Sequence, residues 1–328
     1  MTVLIWIPAC AGMTLMAEEK RERKRHKRKK TIVEQWLTYV LLRIFLFFVF
    51  LFPVEKVLKF ARFLGRGMWK YYGRGRERAL ENLHASFPEK DEKWIEETGI
   101  RSFESLVMFA VDIIFSPRII HKDNWEQYST YKNAERVKWM MQGKQPMLLV
   151  TPHYGNFEIM GYLLGEFGFD IYSIARPLDN KFINKYLYDF RQRNGQKIID
   201  KKGASEKMEQ IIKQGSTLGF VADQNAGKKG LFVDFFGRKA STYKSIGLLA
   251  IQYNLPVGVG VSRRIGDKFF FEIEVERLIM PDEWKDKDDP LIWITQEYTK
   301  AFENAIRKDP TQYWWIHRRW KTRPKNER

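Results

Sequence analysis

Residues 147–158 read Met147-Leu-Leu-Val-Thr-Pro-His-Tyr-Gly-Asn-Phe-Glu158, and the break inside this stretch decides the fold class. Residues 147 to 150 are apolar and Pro152 and Gly155 end the run, which is the pattern of a short buried strand. Asn156 stands where a helix cap belongs, and the apolar face of the expected helix continues through Met160, Tyr162, Leu163 and Leu164. His153 falls in the connecting loop and Glu158 in the first helical turn. On a single helix, residues so spaced would point roughly 140° apart. The two can therefore act together only in a strand–loop–helix arrangement. There Glu158 is expected to accept the proton of one imidazole nitrogen, leaving the other free as a general base.

The pattern repeats downstream. Strands are expected at 147–151, 170–175, 217–222, 231–236, 256–264 and 268–276, and helices near 156–167, 180–194, 204–214, 242–253 and 290–308. Such alternation predicts an α/β fold, a mixed, largely parallel sheet flanked by helices, whose last two strands form a hairpin around Gly266-Asp267. Residues 76–115 read as two further helices separated at Phe87-Pro88.

The chain of 328 residues carries a formal net charge of +17 and 15% aromatic residues, so its partners are expected to be anionic: nucleic acid, an anionic membrane, or an acidic substrate or carrier protein. Cys10 is the only cysteine, which excludes an internal disulfide, a cysteine-based metal cluster and a thiol nucleophile in the folded body. Residues 1–30 read as a basic tail. Within it, Trp6-Ile-Pro-Ala-Cys-Ala-Gly-Met-Thr14 resembles a translated intergenic repeat, so that residues 1–15 read as a start placed too early and Met16 as the expected start, and Lys20 to Lys30 is a run suited to phospholipid headgroups. Residues 31–54 follow as an apolar membrane-anchoring helix, with Arg43 inside the apolar run from Trp36 to Val54. Both flanks are basic, so the positive-inside rule gives no orientation and an interfacial helix stays open beside a spanning one. Residues 55–328 form the remaining domain, with a helical N-terminal part.

Three more clusters sit at expected strand ends. Ala175-Arg176-Pro177-Leu178-Asp179-Asn180 lies where α/β enzymes place ligand-binding loops, although an ordinary turn capping the next helix explains it as well. Arg191 and Arg193 close that helix, a position that favours cations without any function. Phe220-Val-Ala-Asp223-Gln-Asn-Ala-Gly227 ends another apolar run, and Asp223 there is either a charge partner for the site or a loop cap. No Walker A or Gly-x-Ser-x-Gly sequence is present, and the histidines are too scattered for a zinc site. A base without a protein nucleophile fits direct transfer onto a bound hydroxyl. An arginine or backbone amides near Gly155 are the candidates to stabilise the oxyanion.

The His153-x4-Glu158 block resembles the His-x4-Asp/Glu motif of glycerolipid acyltransferases. Further blocks, Gly75-Arg-Glu-Arg-Ala-Leu-Glu-Asn-Leu83, Ala175 to Asn180, Asp223-Gln224, Phe235-Phe-Gly237 with Thr242, and Pro310-Thr-Gln-Tyr-Trp-Trp-Ile-His-Arg-Arg-Trp-Lys321, resemble the late acyltransferases of lipid A biosynthesis. The likeness runs over roughly residues 35 to 322, and its C-terminal block is the most diagnostic part. It implies a glycerolipid acyltransferase-like fold at the cytoplasmic face of the inner membrane, without cofactor or metal. The implied enzyme takes a fatty acyl chain from acyl carrier protein, or coenzyme A, to a hydroxyl of a lipid A precursor. It further implies His153 and Glu158 as catalytic, with Arg176, Asn180, Arg191 and Asp223 as substrate-binding candidates. Two alternatives remain. An acyltransferase for another glycolipid or a lysophospholipid would keep the same pair, whereas a nucleic-acid-binding protein would explain the charge but not the pair.

Overall fold

The computed structural model describes residues 31–175, 178–192, 197–200 and 204–325. Helices α1 (Ile32–Val49), α2 (Val54–Tyr71), α3 (Gly73–Ser86) and α4 (Glu92–Ile119) come first. The body then alternates: β1 (Ser129–Lys132), α5 (Glu135–Gln142), β2 (Leu148–Thr151), α6 (Phe157–Glu166), β3 (Ile171–Ala175), α7 (Lys181–Gln192), β4 (Lys197–Asp200), α8 (Ala204–Lys213) and β5 (Thr217–Val221). After it come β6 (Leu231–Phe235), β7 (Arg238–Thr242), α9 (Ser245–Tyr253), β8 (Val257–Arg264), β9 (Phe271–Ile279) and α10 (Pro290–Lys308).

Seven strands form one sheet in the order β1-β9-β8-β2-β5-β3-β4. Every pairing is parallel except that of β8 with β9, so the sheet is mixed and largely parallel, as the alternation predicts. β2 lies at its centre and all four of its residues are buried. Successive strand side chains point to opposite faces. Leu148 and Val150 accordingly join a core with Leu83, Phe103, Tyr298, Phe302 and Trp315, while Leu149 joins another with Val137, Met141 and Ile171. A parallel sheet covered on both faces needs such an apolar central strand.

The structure departs from the sequence pattern around residue 240. β6 is not in the main sheet; it pairs antiparallel with β7 as a separate ribbon, and the helix expected at 242–253 begins only at Ser245. The two-residue turn has positive φ at both Phe236 (54°) and Gly237 (68°), the requirement of the hairpin turn that matches strand twist. Glu303 on α10 holds the turn by accepting the Phe236 N–H at 2.7 Å. β1 and β4 are four-residue edge strands with no alternation to mark them in the sequence.

The apolar helix α1 begins in a capping box, Thr31 Oγ1 accepting from Glu34 N–H while Glu34 Oε2 accepts from Thr31 N–H. It is long and apolar enough to cross a membrane, and Leu46 is its one buried residue. α2 differs, because Val54, Leu58, Ala61, Gly65 and Trp69 recur at helical spacing and bury against α4. A Cβ at Gly65 would stand 2.5 Å from Glu104 Cα, so glycine permits this crossing. Arg66 Nε then reaches the buried Glu104 carboxylate at 2.5 Å.

Candidate active site

β2 and β5 run side by side, with Thr151 opposite Val221, and Ala222 N–H adds one more bond to Thr151 O. The chain therefore leaves the sheet at adjacent points through His153 and Asp223. Asp223 is fully buried and grips the histidine twice. Its Oδ2 accepts the His153 backbone N–H at 3.0 Å, and its Oδ1 lies 2.5 Å from the ring Nδ1. Burial alone would raise the carboxyl pKa. The adjoining His153 and His317 and the hydrogen bonds from His153 outweigh it and hold Asp223 well below the usual carboxylate range. Asp223 is thus an anion under His153, and Nδ1 carries the proton, which leaves Nε2 as the basic nitrogen.

The loop that carries His153 is fixed from behind. Gly155 has φ +53°, and a Cβ there would stand 1.9 Å from Ser262 O, so only glycine fits. Its N–H donates to Gln312 O at 3.0 Å, and Asn156 N–H donates to Ser262 O at 2.7 Å. These two amides, candidates for the oxyanion site, are spent on holding the loop against β8 and the C-terminal block. Asn156 caps α6 as its sequence position predicts, Oδ1 accepting from Ile159 N–H at 3.0 Å. Its Nδ2 donates to Asp112, a buried carboxylate also paired with Arg264.

Glu158 lies in the first turn of α6, but its partner is Arg191 and not His153. Arg191 Nε donates to Glu158 Oε2 at 3.0 Å and Nη2 donates to Oε1, a two-pronged ion pair between α6 and α7. The expected orienting bond from Glu158 to the imidazole is replaced by the one from Asp223, because the parallel pairing of β2 with β5 brings Asp223 to Nδ1 while Arg191 takes up the Glu158 carboxylate. Asn180 spends both side-chain atoms on structure: Oδ1 caps α7 by accepting from Phe182 N–H and Ile183 N–H, and Nδ2 donates to Gln35 O of α1. Arg176 and Arg193 lie outside the described residues.

Sequence reasoning missed the aromatic and imidazole wall around His153. Phe157, Trp314 and His317 have ring centroids 5.1, 5.0 and 4.6 Å from that of His153. His317 belongs to the C-terminal block, whose composition marks it as unusual without saying what it touches. Its Nδ1 is buried without a partner, and burial pushes its pKa down to about 4, against the pull of Asp223. Arg319 is buried two residues on and donates to Gln224 O, Ser241 O and Thr242 Oγ1, tying the β7 end to the Asp223 loop. One donor atom each from His153, Asp223 and His317 lies within 4.8 Å of the others, a set whose types suit a transition-metal ion. The 2.5 Å bond inside that set equally has the geometry that braces a general base.

An imidazole braced by a buried carboxylate, at the carboxyl end of parallel strands and walled by aromatic rings, is an arrangement suited to base-assisted transfer. Residues 23–322 match the family described as bacterial lipid A biosynthesis acyltransferase, and the chain belongs to that family. It is 25% identical over 297 residues to the lipid A biosynthesis lauroyltransferase of Escherichia coli K12, covering 88% of this chain and 92% of the relative. The palmitoleoyltransferase of the same organism is 25% identical over 259 residues, covering 76% and 79%. Its myristoyltransferase is 24% identical over 276 residues, covering 80% of each chain. The protein is accordingly an acyltransferase of lipid A biosynthesis.

Proposed function

We propose that the enzyme moves a fatty acyl chain from the thioester of acyl carrier protein, or of coenzyme A, to a hydroxyl of a lipid A precursor. It does so at the cytoplasmic face of the inner membrane, anchored by residues 31–54 and with residues 55–328 as the catalytic domain. The observation that carries the mechanism is the 2.5 Å contact of Asp223 Oδ1 with His153 Nδ1, which leaves Nε2 to take the proton of the acceptor hydroxyl. The alkoxide attacks the thioester carbonyl carbon, and the tetrahedral intermediate collapses to ester and thiolate. The thiolate takes back the proton held on His153. Asp223 stabilises the imidazolium in between. The Gly155 and Asn156 amides are committed to the fold, so an arginine is the better oxyanion donor; Arg191, held by Glu158 through Nε and Nη2, competes for that role with Arg176 and Arg193. The net charge of +17 suits an acidic carrier and a phosphorylated acceptor.

The test uses full-length enzyme in detergent with lauroyl or myristoyl acyl carrier protein, offered a lipid A precursor or a lysophospholipid. Higher catalytic efficiency with the precursor is expected. A clear preference for the lysophospholipid overturns the acceptor while leaving His153 and Asp223 in place. Mass spectrometry of lipid A from a deletion strain then identifies the chain that is lost.

A further inference from the structure

Helix α1 is docked, and its docking creates a site. Gln35 Oε1 accepts from Lys181 N–H at 3.0 Å, and Tyr39 stacks on Phe182 with centroids 6.0 Å apart. Between α1, α7 and the C-terminal end of α4 this leaves a cavity of about 440 Å³. Leu46, Phe47, Ile114 and Phe182 give it apolar walls, and Arg43 and Arg118 give it charge.

Both guanidinium groups lack an acidic partner among the described residues. Arg43 donates to the Tyr39 hydroxyl at 2.9 Å and lies 5.4 Å from the Tyr186 ring, while Arg118 lies 4.2 Å from the Phe50 ring. Asp189, the acidic residue of the lining, is neutralised by Lys185 at 2.9 Å. The cavity therefore carries two uncompensated positive charges beside apolar walls. A guanidinium midway along an apolar membrane helix is costly, and such residues mark a paired charge or a polar substrate path. A chain of packed side chains along α4 links the cavity to the rings around His153. Ile114 lies about 7.5 Å beyond Phe109 along α4, and Phe109 packs on the Phe157 and Trp314 rings at 4.8 and 5.2 Å.

We propose that this cavity binds a phosphate-bearing lipid, its acyl chain on the apolar walls and its phosphate at Arg43 and Arg118, and that the occupant is the saccharolipid acceptor. The identity of the occupant rests on the acceptor proposed above; the phosphate-lipid chemistry does not. Apolar walls and charge complementarity together select such an amphiphile, since a neutral lipid would give the two exposed guanidinium groups no counter-charge.

Equilibrium binding is measured with full-length enzyme in detergent, without donor. The ligands are a lipid A precursor, its dephosphorylated form and phosphatidylglycerol, and the proteins are wild type, Arg43→Gln, Arg118→Gln, the double variant and Lys59→Gln, an exposed cation outside the cavity. The double variant is expected to weaken precursor binding about tenfold or more, with no change for the dephosphorylated form or for Lys59→Gln. Unchanged precursor affinity, or an equal loss for the dephosphorylated form, overturns the site. Phosphatidylglycerol binding as tightly, with the same sensitivity, overturns the acceptor as occupant and gives the cavity to a bilayer phospholipid. Acyl transfer followed in parallel separates the two proposals. An unchanged KM for the precursor in the double variant sinks the cavity alone, whereas no transfer to the precursor by wild type sinks the acceptor reading.

Discussion

Asp223 holds His153 at two points, the backbone N–H at 3.0 Å and the ring Nδ1 at 2.5 Å. A carboxylate that fixes both the position of the residue and the tautomer of its ring removes the freedom to rotate and the choice of which nitrogen is basic. His153→Ala is expected to lower acyl transfer at least about a hundredfold, the usual worth of a positioned base. Asp223→Asn should cost as much, because the neutral amide no longer favours the imidazolium. Single-turnover assays check both, with thermal unfolding to establish that each variant is folded. Near-normal turnover by His153→Ala would sink the mechanism.

Glu158 and Arg191 should behave as one unit. Removing either leaves the other half-buried and unpaired, so Glu158→Gln and Arg191→Gln are each expected to reduce kcat, and the double variant to be little worse than the more damaged single. A double-mutant cycle on kcat/KM should give a coupling of about 0.5–3 kcal/mol. Strict additivity would show that the ion pair is not how these residues act.

Gly155 and Gly237 both have positive φ, yet they differ in space. Gly155→Ala places a methyl group against Ser262 O and is expected to destabilise by at least about 3 kcal/mol. Gly237→Ala meets nothing within 4 Å, so only the backbone strain of about 1–2 kcal/mol remains. Denaturant unfolding in detergent measures the difference, and equal losses would contradict the close approach of the loop to β8.

His317 sets an acid limit. Its pKa of about 4 in the fold lies below the ordinary value of 6.5, so between these values the unfolded chain binds a proton that the folded chain does not. Stability is therefore expected to fall as pH drops from 6.5 to 4, by roughly 3 kcal/mol in all. Asp223, depressed by its neighbours, adds to the loss only at lower pH. His317→Asn should flatten the slope between pH 6.5 and 4, and an unchanged slope would assign the acid sensitivity elsewhere.

Much of this architecture is local and so legible in the chain itself. Residues 147–158 specify a buried strand, a break and a capped helix because each depends on neighbours a few positions away, and α10 and the hairpin at Gly266 follow from the same short-range rules. The position of His153 just past the central strand was legible for that reason. Its partner was not. Asp223 stands 70 residues away and Glu158 only five, and spacing favours the near carboxylate, yet the parallel pairing of β2 with β5 brings the distant one to Nδ1. Arg191 reaches Glu158, Arg319 reaches Thr242 and α1 reaches α7 for the same reason. The sequence by itself determined the strand and helix pattern, the apolar N-terminal helix and the histidine at the end of the central strand, all set by local propensity and periodicity. Only the tertiary structure decided which carboxylate meets His153, which arginine is held and what surrounds them, because those contacts are made across strands and helices that meet only once the chain has folded.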